Sequence, residues 1–282
     1  MVAVAAAIAA VAGPRLDRDA IAHERAASST PHPRPAPHHA HRAVPARRPS
    51  RAPVPILMYH VIGEPSAGAP YPGLFVTPSA FRGQVGWLRV HGFRAVTLDR
   101  AVAAWAGHAS LPRHPVVLSF DDGYLGDFTV ARPVLARLHW PGVLNLIVSR
   151  MRPGDSASLT RGMVRGLIRR GWEVDSHTMT HPDLTALSPA ALRREVARSR
   201  ELLRRMFHIP VEGFCYPAGR YDAGVLAGVR RAGYRFATTE IPGAAVATGN
   251  RLLLPRIRVS AGERAGQLGS VVERALTAAH SR

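Results

Sequence analysis

The chain has 282 residues, 46% of them hydrophobic and 20% charged, which excludes a disordered polymer and leaves room for one large core or two small ones. Its formal charge of +18 comes from 37 basic residues, every one an arginine, with eight arginines against three acids in residues 1–53 and 29 against 16 beyond. A charge spread this evenly, with no dense basic block and no interleaved aromatics, excludes nucleic acid as the expected partner, and the single cysteine, Cys215, excludes an internal disulfide.

Residues 1–13 are almost wholly Ala, Val and Ile. They are too few to span a bilayer, and they read as the apolar part of a secretory signal or as an anchor, without the basic leading segment. Residues 14–53 pass through Pro31-His32-Pro33-Arg34-Pro35-Ala36-Pro37-His38-His39-Ala40-His41. Such proline and charge content cannot pack a core, so this stretch reads as a disordered linker, its histidines belonging to a solvated tether. Together the two segments predict a secreted or envelope-associated protein, with membrane or envelope attachment through the amino terminus.

From residue 54 the pattern becomes globular. Val54-Pro55-Ile56-Leu57-Met58-Tyr59-His60 reads as a strand ending in a polar residue, and 81–90 as an amphipathic helix. Ala95 to Leu98 reads as a second strand and 101–105 as a helix. Pro115-Val116-Val117-Leu118 leads into Ser119-Phe120-Asp121-Asp122-Gly123 as a third strand and a tight turn. Then follow a helix over 130–139, a strand over 143–148, a helix over 160–170 and a strand over 172–176. Ser188-Pro189 opens a helix to about Arg205, serine being a good N-cap and proline suited to the first helical position. Further strands are expected over 213–216, 236–239 and 253–259, with a helix over 222–232. Strands alternating with helices imply a largely parallel sheet, open or closed into a barrel, and ligands of such sheets gather at the carboxyl ends of strands.

Two polar groups stand at such ends. Adjacent carboxylates, Asp121 and Asp122, resist joint ionisation unless a cation or a proton lies near, although an Asp-Gly pair is also a common solvated turn. Ser176-His177-Thr178-Met179-Thr180-His181-Pro182 follows its strand at once, and two histidines four apart with a carboxylate suit a divalent metal. Asp122, His177 and His181 are therefore the expected metal ligands, with Zn²⁺ the default and Co²⁺ or Ni²⁺ also compatible. Asp121, left free beside the metal, is placed to act as general base for an attacking water. The chemistry implied is hydrolysis of an amide or ester.

These motifs, followed by Phe214-Cys215-Tyr216-Pro217-Ala218-Gly219, resemble the polysaccharide deacetylase family (the NodB-homology group, carbohydrate esterase family 4) over roughly residues 54–260. The resemblance implies a single distorted (β/α) barrel over 54–282, its motif-bearing core at about 114–282. It implies Asp121 as base and Asp122, His177 and His181 as ligands. The third motif of the family usually begins with an arginine that orients the base and carries an aromatic whose backbone N–H helps hold the oxyanion. Here Cys215 stands at the arginine position, Pro217 matches, and Ala218 replaces the aromatic while keeping a backbone donor. Arg256, or else Arg220, is the candidate to supply the missing charge. The family's late acid histidine is also absent; His60, at the first strand's exit, is its candidate replacement. That combination resembles the branch acting on poly-β-1,6-N-acetylglucosamine. The expectation is a metal-dependent hydrolase that removes N-acetyl groups from an acetylated polysaccharide. Its rivals are an O-acetyl esterase acting on a xylan-like glycan and a catalytically silent glycan-binding module.

Overall fold

The computed structural model describes residues 48–151 and 155–281, so segment 1–13 and most of the 14–53 linker lie outside the described residues. In chain order the first elements are β1 (Val54–Tyr59), β2 (Val61–Ile62), β3 (Phe75–Val76), α1 (Pro78–Val90), β4 (Phe93–Ala95), α2 (Leu98–Trp105) and β5 (His114–Asp122). The middle of the chain forms α3 (Arg132–Ala136), β6 (Val143–Leu146), α4 (Arg161–Ile168), β7 (Glu173–Ser176) and α5 (Pro189–Phe207). The rest forms β8 (Gly213–Cys215), α6 (Ala223–Arg231), β9 (Phe236–Pro242), β10 (Ala244–Ala245), β11 (Leu254–Arg258) and α7 (Ala265–His280).

One sheet of nine strands runs β10-β1-β11-β9-β8-β7-β6-β5-β4, and β5 also pairs with β1, from Ile56 with Val117 to Tyr59 with Phe120. With β4 and β10 set aside as appendages, the remaining seven strands are parallel and closed, so the sheet is a barrel. β4 lies parallel along the start of β5, and β10 lies antiparallel along the start of β1.

Strand alternation, with successive side chains on opposite faces, layers the barrel interior. Val54, Ile56, Val117, Val143, Phe236 and Leu254 form an apolar floor with Leu98, Val102 and Trp105 of α2. Two and four residues further along, the same faces carry Met58 and His60 on the first chain segment, and Ser119 and Asp121 on β5. β6 presents Asn145 and β11 presents Arg256. The interior thus changes from hydrocarbon at one end to charge at the other. The opposite faces, Leu57, Tyr59, Leu118, Phe120, Leu144 and Leu146, pack outward in one cluster with Phe81, Val85, Leu135, Val164 and Leu167 from the helices. Burial of each such side chain is worth about 1.5–3 kcal/mol, which is what holds the charged end in place.

Several expected elements form with the anticipated caps. Ser188 accepts from Ala191 N at 3.4 Å to open α5, with Pro189 in its first turn, and Thr160 accepts from Met163 N at 3.2 Å to open α4. Three expectations are corrected. The strand read over 95–98 is instead β4 at Phe93–Ala95; Thr97 caps α2 by accepting from Arg100 N, so Leu98 begins a helix. The helix read over 130–139 is a wide turn at Asp127–Ala131 followed by α3, and His139, at φ 54, lies beyond its end in the left-handed region. Finally, the last residues of the linker range are tied to the barrel floor: Ser50 N donates to Ala104 O at 2.9 Å and Trp105 Nε1 to Ala52 O at 3.0 Å. The carboxy-terminal α7, which packs on α1, was not anticipated from the sequence.

Candidate functional site

The two carboxylates at the end of β5 face different partners. Asp122 has φ 73 and is followed by Gly123 at φ 80, two left-handed residues in succession that reverse the chain. A Cβ on Gly123 would lie 2.9 Å from Leu146 Cδ2, so glycine is required there for space as well as for conformation. Asp122 Oδ1 stands 3.6 Å from His177 Nε2 and 3.9 Å from His181 Nε2, while its Oδ2 is 3.4 Å from Arg150 Nη1. One donor atom from each of Asp122, His177 and His181 lies within 4.8 Å of the others, a spacing that a single cation can bridge.

The histidines are oriented by groups behind them. His177 is buried and its Nδ1 contacts Cys215 O at 2.8 Å, which sets Nδ1 as the protonated nitrogen and leaves Nε2 facing Asp122 as a ligand atom. His181 takes φ 64 and Thr178 takes φ 72; His181 N donates to Thr178 Oγ1 at 2.8 Å. Glu195 on α5 ties this turn down by accepting from Met179 N, Thr180 N and Thr180 Oγ1, each at 2.9 Å. Of the six non-glycine residues with positive φ among the described residues, Asp122, Thr178, His181 and Ala218 all belong to this site. Each costs on the order of 1–3 kcal/mol, and such strain collects where function requires a fixed geometry.

Asp121 is only 1% exposed and points into the barrel. Its Oδ1 accepts from Arg256 Nη1 at 2.8 Å and from Asn145 Nδ2 at 2.7 Å. Its Oδ2 lies 3.8 Å from His60 Nε2 and 3.7 Å from Cys215 Sγ. Burial works to raise the Asp121 carboxyl, but Arg256, His60 and His177 together hold it well below the usual carboxylate range. Arg256 is fully buried; its Nε donates to Thr239 O at 2.8 Å and its Nη1 reaches Ser119 Oγ at 3.3 Å. Arg220, the other arginine considered, is exposed and pairs with Asp183 at 2.6 Å, away from Asp121.

Burial and neighbouring charges shift the two histidines in opposite directions. Burial disfavours charge on His177, yet its contacts with Cys215 and the two carboxylates push its pKa up to about 10. Burial lowers the His181 pKa, and repulsion from His177 lowers it further. Two imidazole nitrogens and a carboxylate oxygen within 4.8 Å of one another are a donor set that fits a divalent cation. Burial also lowers the His60 pKa, against the pull of Asp121 and Asp122.

His60, Asp121, Asp122, His177, His181 and Ala218 all line one cleft of about 700 Å³ at the carboxyl ends of the strands. Of the residues expected at the site, only Arg256 and Pro217 do not line this cleft; Arg256 reaches it through its contact with Asp121. Pro217 is buried, and the chain meets the cleft through Ala218, at φ 49 in the tight turn Pro217–Gly219. Asn145, Arg150 and Glu195 belong to the site but were not singled out from the sequence. A polar residue in the middle of the apolar run Val143 to Val148 was the signal available for Asn145. Arg150 and Glu195 carry no local signal.

The sequence profile of the polysaccharide deacetylase family matches residues 108–237. YxkH of Bacillus subtilis, a protein named for the polysaccharide deacetylases, is 30% identical over 222 residues, covering 79% of this chain and 77% of its own length. The poly-β-1,6-N-acetyl-D-glucosamine N-deacetylase of Staphylococcus epidermidis is 23% identical over 200 residues, covering 66% of this chain and 68% of its own. Among solved structures, the Streptococcus pyogenes deacetylase PplD, in complex with acetate, superposes with a TM-score of 0.74 at 27% identity, covering 79% of this chain and 99% of that one. The family's deacetylases are metal-dependent, and their barrel is the one described above. A barrel shared with a solved deacetylase and 30% identity over most of both chains place this chain in the polysaccharide deacetylase family.

Proposed function

We propose that this protein is a metal-dependent N-deacetylase of N-acetylglucosamine-containing polysaccharide, akin to the enzymes acting on the β-1,6-linked polymer, and that it works at the cell envelope. The observation that carries the reading is the division of labour at the end of β5. Asp122 faces two histidines, while Asp121, one residue away, is held ionised by Arg256 and Asn145 and keeps its second oxygen towards His60. The 68% coverage of a relative named for that β-1,6-linked polymer supports the choice of substrate.

Asp122, His177 and His181 would hold the ion, with Zn²⁺ first and Co²⁺ or Ni²⁺ as substitutes. A divalent cation there supplies Lewis acidity to water and to the acetamide carbonyl. The residues of the chain do the rest. Asp121 Oδ2 accepts the proton of the attacking water, and Ala218 N–H stabilises the charge that develops on the carbonyl oxygen. His60, facing the same Asp121 oxygen at 3.8 Å, takes up a proton and delivers it to the departing amine. Free acetate and a glucosamine residue are the products.

Acetate release from N-acetylglucosamine oligomers, with and without chelator and with metal restored, tests the reading. Release that stops on chelation and returns with Zn²⁺ is expected; no metal-dependent release from any N-acetylated oligomer refutes it. Preference for O-acetylated xylan in a parallel assay would assign an esterase instead. His60→Ala is expected to lower kcat by about 10²–10⁴-fold, the usual cost of removing a positioned acid, with metal content intact. Loss of metal in that variant would make His60 a ligand and overturn its role.

A further inference from the structure

Asp122 offers its two oxygens to different partners. Oδ1 lies 3.6 Å from His177 Nε2 and 3.9 Å from His181 Nε2, on the side of the donor set. Oδ2 turns to Arg150 Nη1 at 3.4 Å, and among the described residues Asp122 is the one carboxylate with which Arg150 pairs. The guanidinium is held in place from below: it lies over the ring of Tyr124, 4.2 Å from the centroid, on the segment that follows Asp122-Gly123. Its backbone is fixed to the other ligands. Arg150 ends the turn Val148–Arg150 beyond β6, where Val148 N donates to Thr178 O at 3.1 Å and Ser149 N to Met179 O at 2.9 Å. Thr178 and Met179 lie between His177 and His181, so the two segments that carry the ligands both set the position of Arg150.

A carboxylate can give a cation one oxygen or both. A site with three protein ligands works as a Lewis acid only while a further position stays open for water or a carbonyl, and a carboxylate that binds through both oxygens fills that position. A guanidinium on Oδ2 opposes the second mode, because the ion would have to displace it. Its charge also repels the cation and draws electron density from the carboxylate, so the ion is held less tightly and stays more acidic. The contact has an opposite in the same site: Cys215 O, 2.8 Å from His177 Nδ1, makes that histidine a stronger donor.

We propose that Arg150 is a positioning residue that confines Asp122 to ligation through one oxygen, weakening the hold on the ion while keeping a position open for water and the acetamide carbonyl. The inference rests on the deacetylase reading above and adds a residue to it. The test measures Zn²⁺ affinity by chelator competition, the visible absorption of the Co²⁺-loaded protein, and kcat on an N-acetylglucosamine oligomer, in wild type, Arg150→Met, Arg150→Gln and Arg150→Lys. Arg150→Met keeps a stem over Tyr124 but no charge. It should bind Zn²⁺ about tenfold more tightly while kcat falls at least about tenfold, the usual size of an effect on a group behind a metal ligand. Its Co²⁺ bands should weaken as the coordination number rises. Arg150→Gln, a second uncharged variant, should shift the same way, and Arg150→Lys, which keeps the charge, should stay nearer wild type in affinity and spectrum. Weaker Zn²⁺ binding together with lower kcat in the uncharged variants would mark a merely structural role and overturn the proposal, as would an unchanged affinity with an unchanged spectrum. If wild type binds Zn²⁺ but releases no acetate, the deacetylase reading fails, and affinity and spectrum decide the role of Arg150. A wild type that binds no divalent ion refutes both.

Discussion

Asp121→Asn is expected to lower kcat by about 10²–10⁴-fold while the protein still binds one metal ion, because asparagine keeps the shape of the side chain but cannot accept a proton. Metal analysis beside steady-state acetate release checks this. The geometry makes the outcome specific: the Asp121 carboxylate is engaged by Arg256 and Asn145, whereas the donor atoms of Asp122, His177 and His181 lie within 4.8 Å of one another. If the variant lost its metal together with its activity, Asp121 would be part of the binding set and its assignment as base would fall. A carboxylate held this far below its usual range is a weak base in isolation. The same neighbours favour its ionised form, and a divalent cation held by Asp122, His177 and His181 would raise the acidity of water and so offset the low basicity.

Arg256 sets up the second large effect. Its guanidinium is 1% exposed and is balanced by Asp121 at 2.8 Å. Breaking a buried pair from one side leaves the other charge uncompensated, so Arg256→Met should destabilise the fold by about 3–5 kcal/mol. Asp121→Asn should also lose stability, since it strands the arginine. Removing both charges, in Asp121→Asn with Arg256→Met, should cost less than the sum, with a coupling of about 1–3 kcal/mol in urea titrations. Strict additivity would show that the two groups do not sense each other and that another residue orients Asp121. The single Arg256→Met variant should also lose activity, since Oδ1 of Asp121 would then be held by Asn145 alone.

Both results bear on how this chain departs from the pattern it resembles. Cys215 occupies the place where an arginine was expected, and its sulfur lies 3.7 Å from Asp121 Oδ2, close to the base but without charge to offer it. The charge arrives from β11, at the far end of the sequence, because the closure of the barrel brings β11 beside β1 and β1 beside β5. Arg220 was the second candidate on the linear chain. Facing Asp183 at the surface, it is excluded by position alone.

Local chemistry made the reacting groups legible. Paired carboxylates after an apolar run, and two histidines four apart after another, are unusual enough at strand ends to mark a candidate cation site without a fold. Caps were legible for the same reason: Ser188 and Thr160 act within three residues of themselves. Where local signals competed, the reading failed. Thr97 is as good a cap as it is a strand residue, and only the pairing of β4 with the start of β5 decided that Leu98 belongs to α2.

The sequence by itself determined the alternation of strands and helices, the two carboxylates, the two histidines and the polar exit at His60, since each depends on neighbours a few residues away. Only the tertiary structure decided that the sheet closes, that Arg256 rather than Arg220 meets Asp121, and that Asn145 and Glu195 hold the site together. It also decided that Ala218 reaches the cleft while Pro217 does not. Those outcomes depend on which strand lies beside which and on the inward or outward sense of every second residue. That information arises only when seven strands share one interior and a charge on one can be balanced solely by a charge on another.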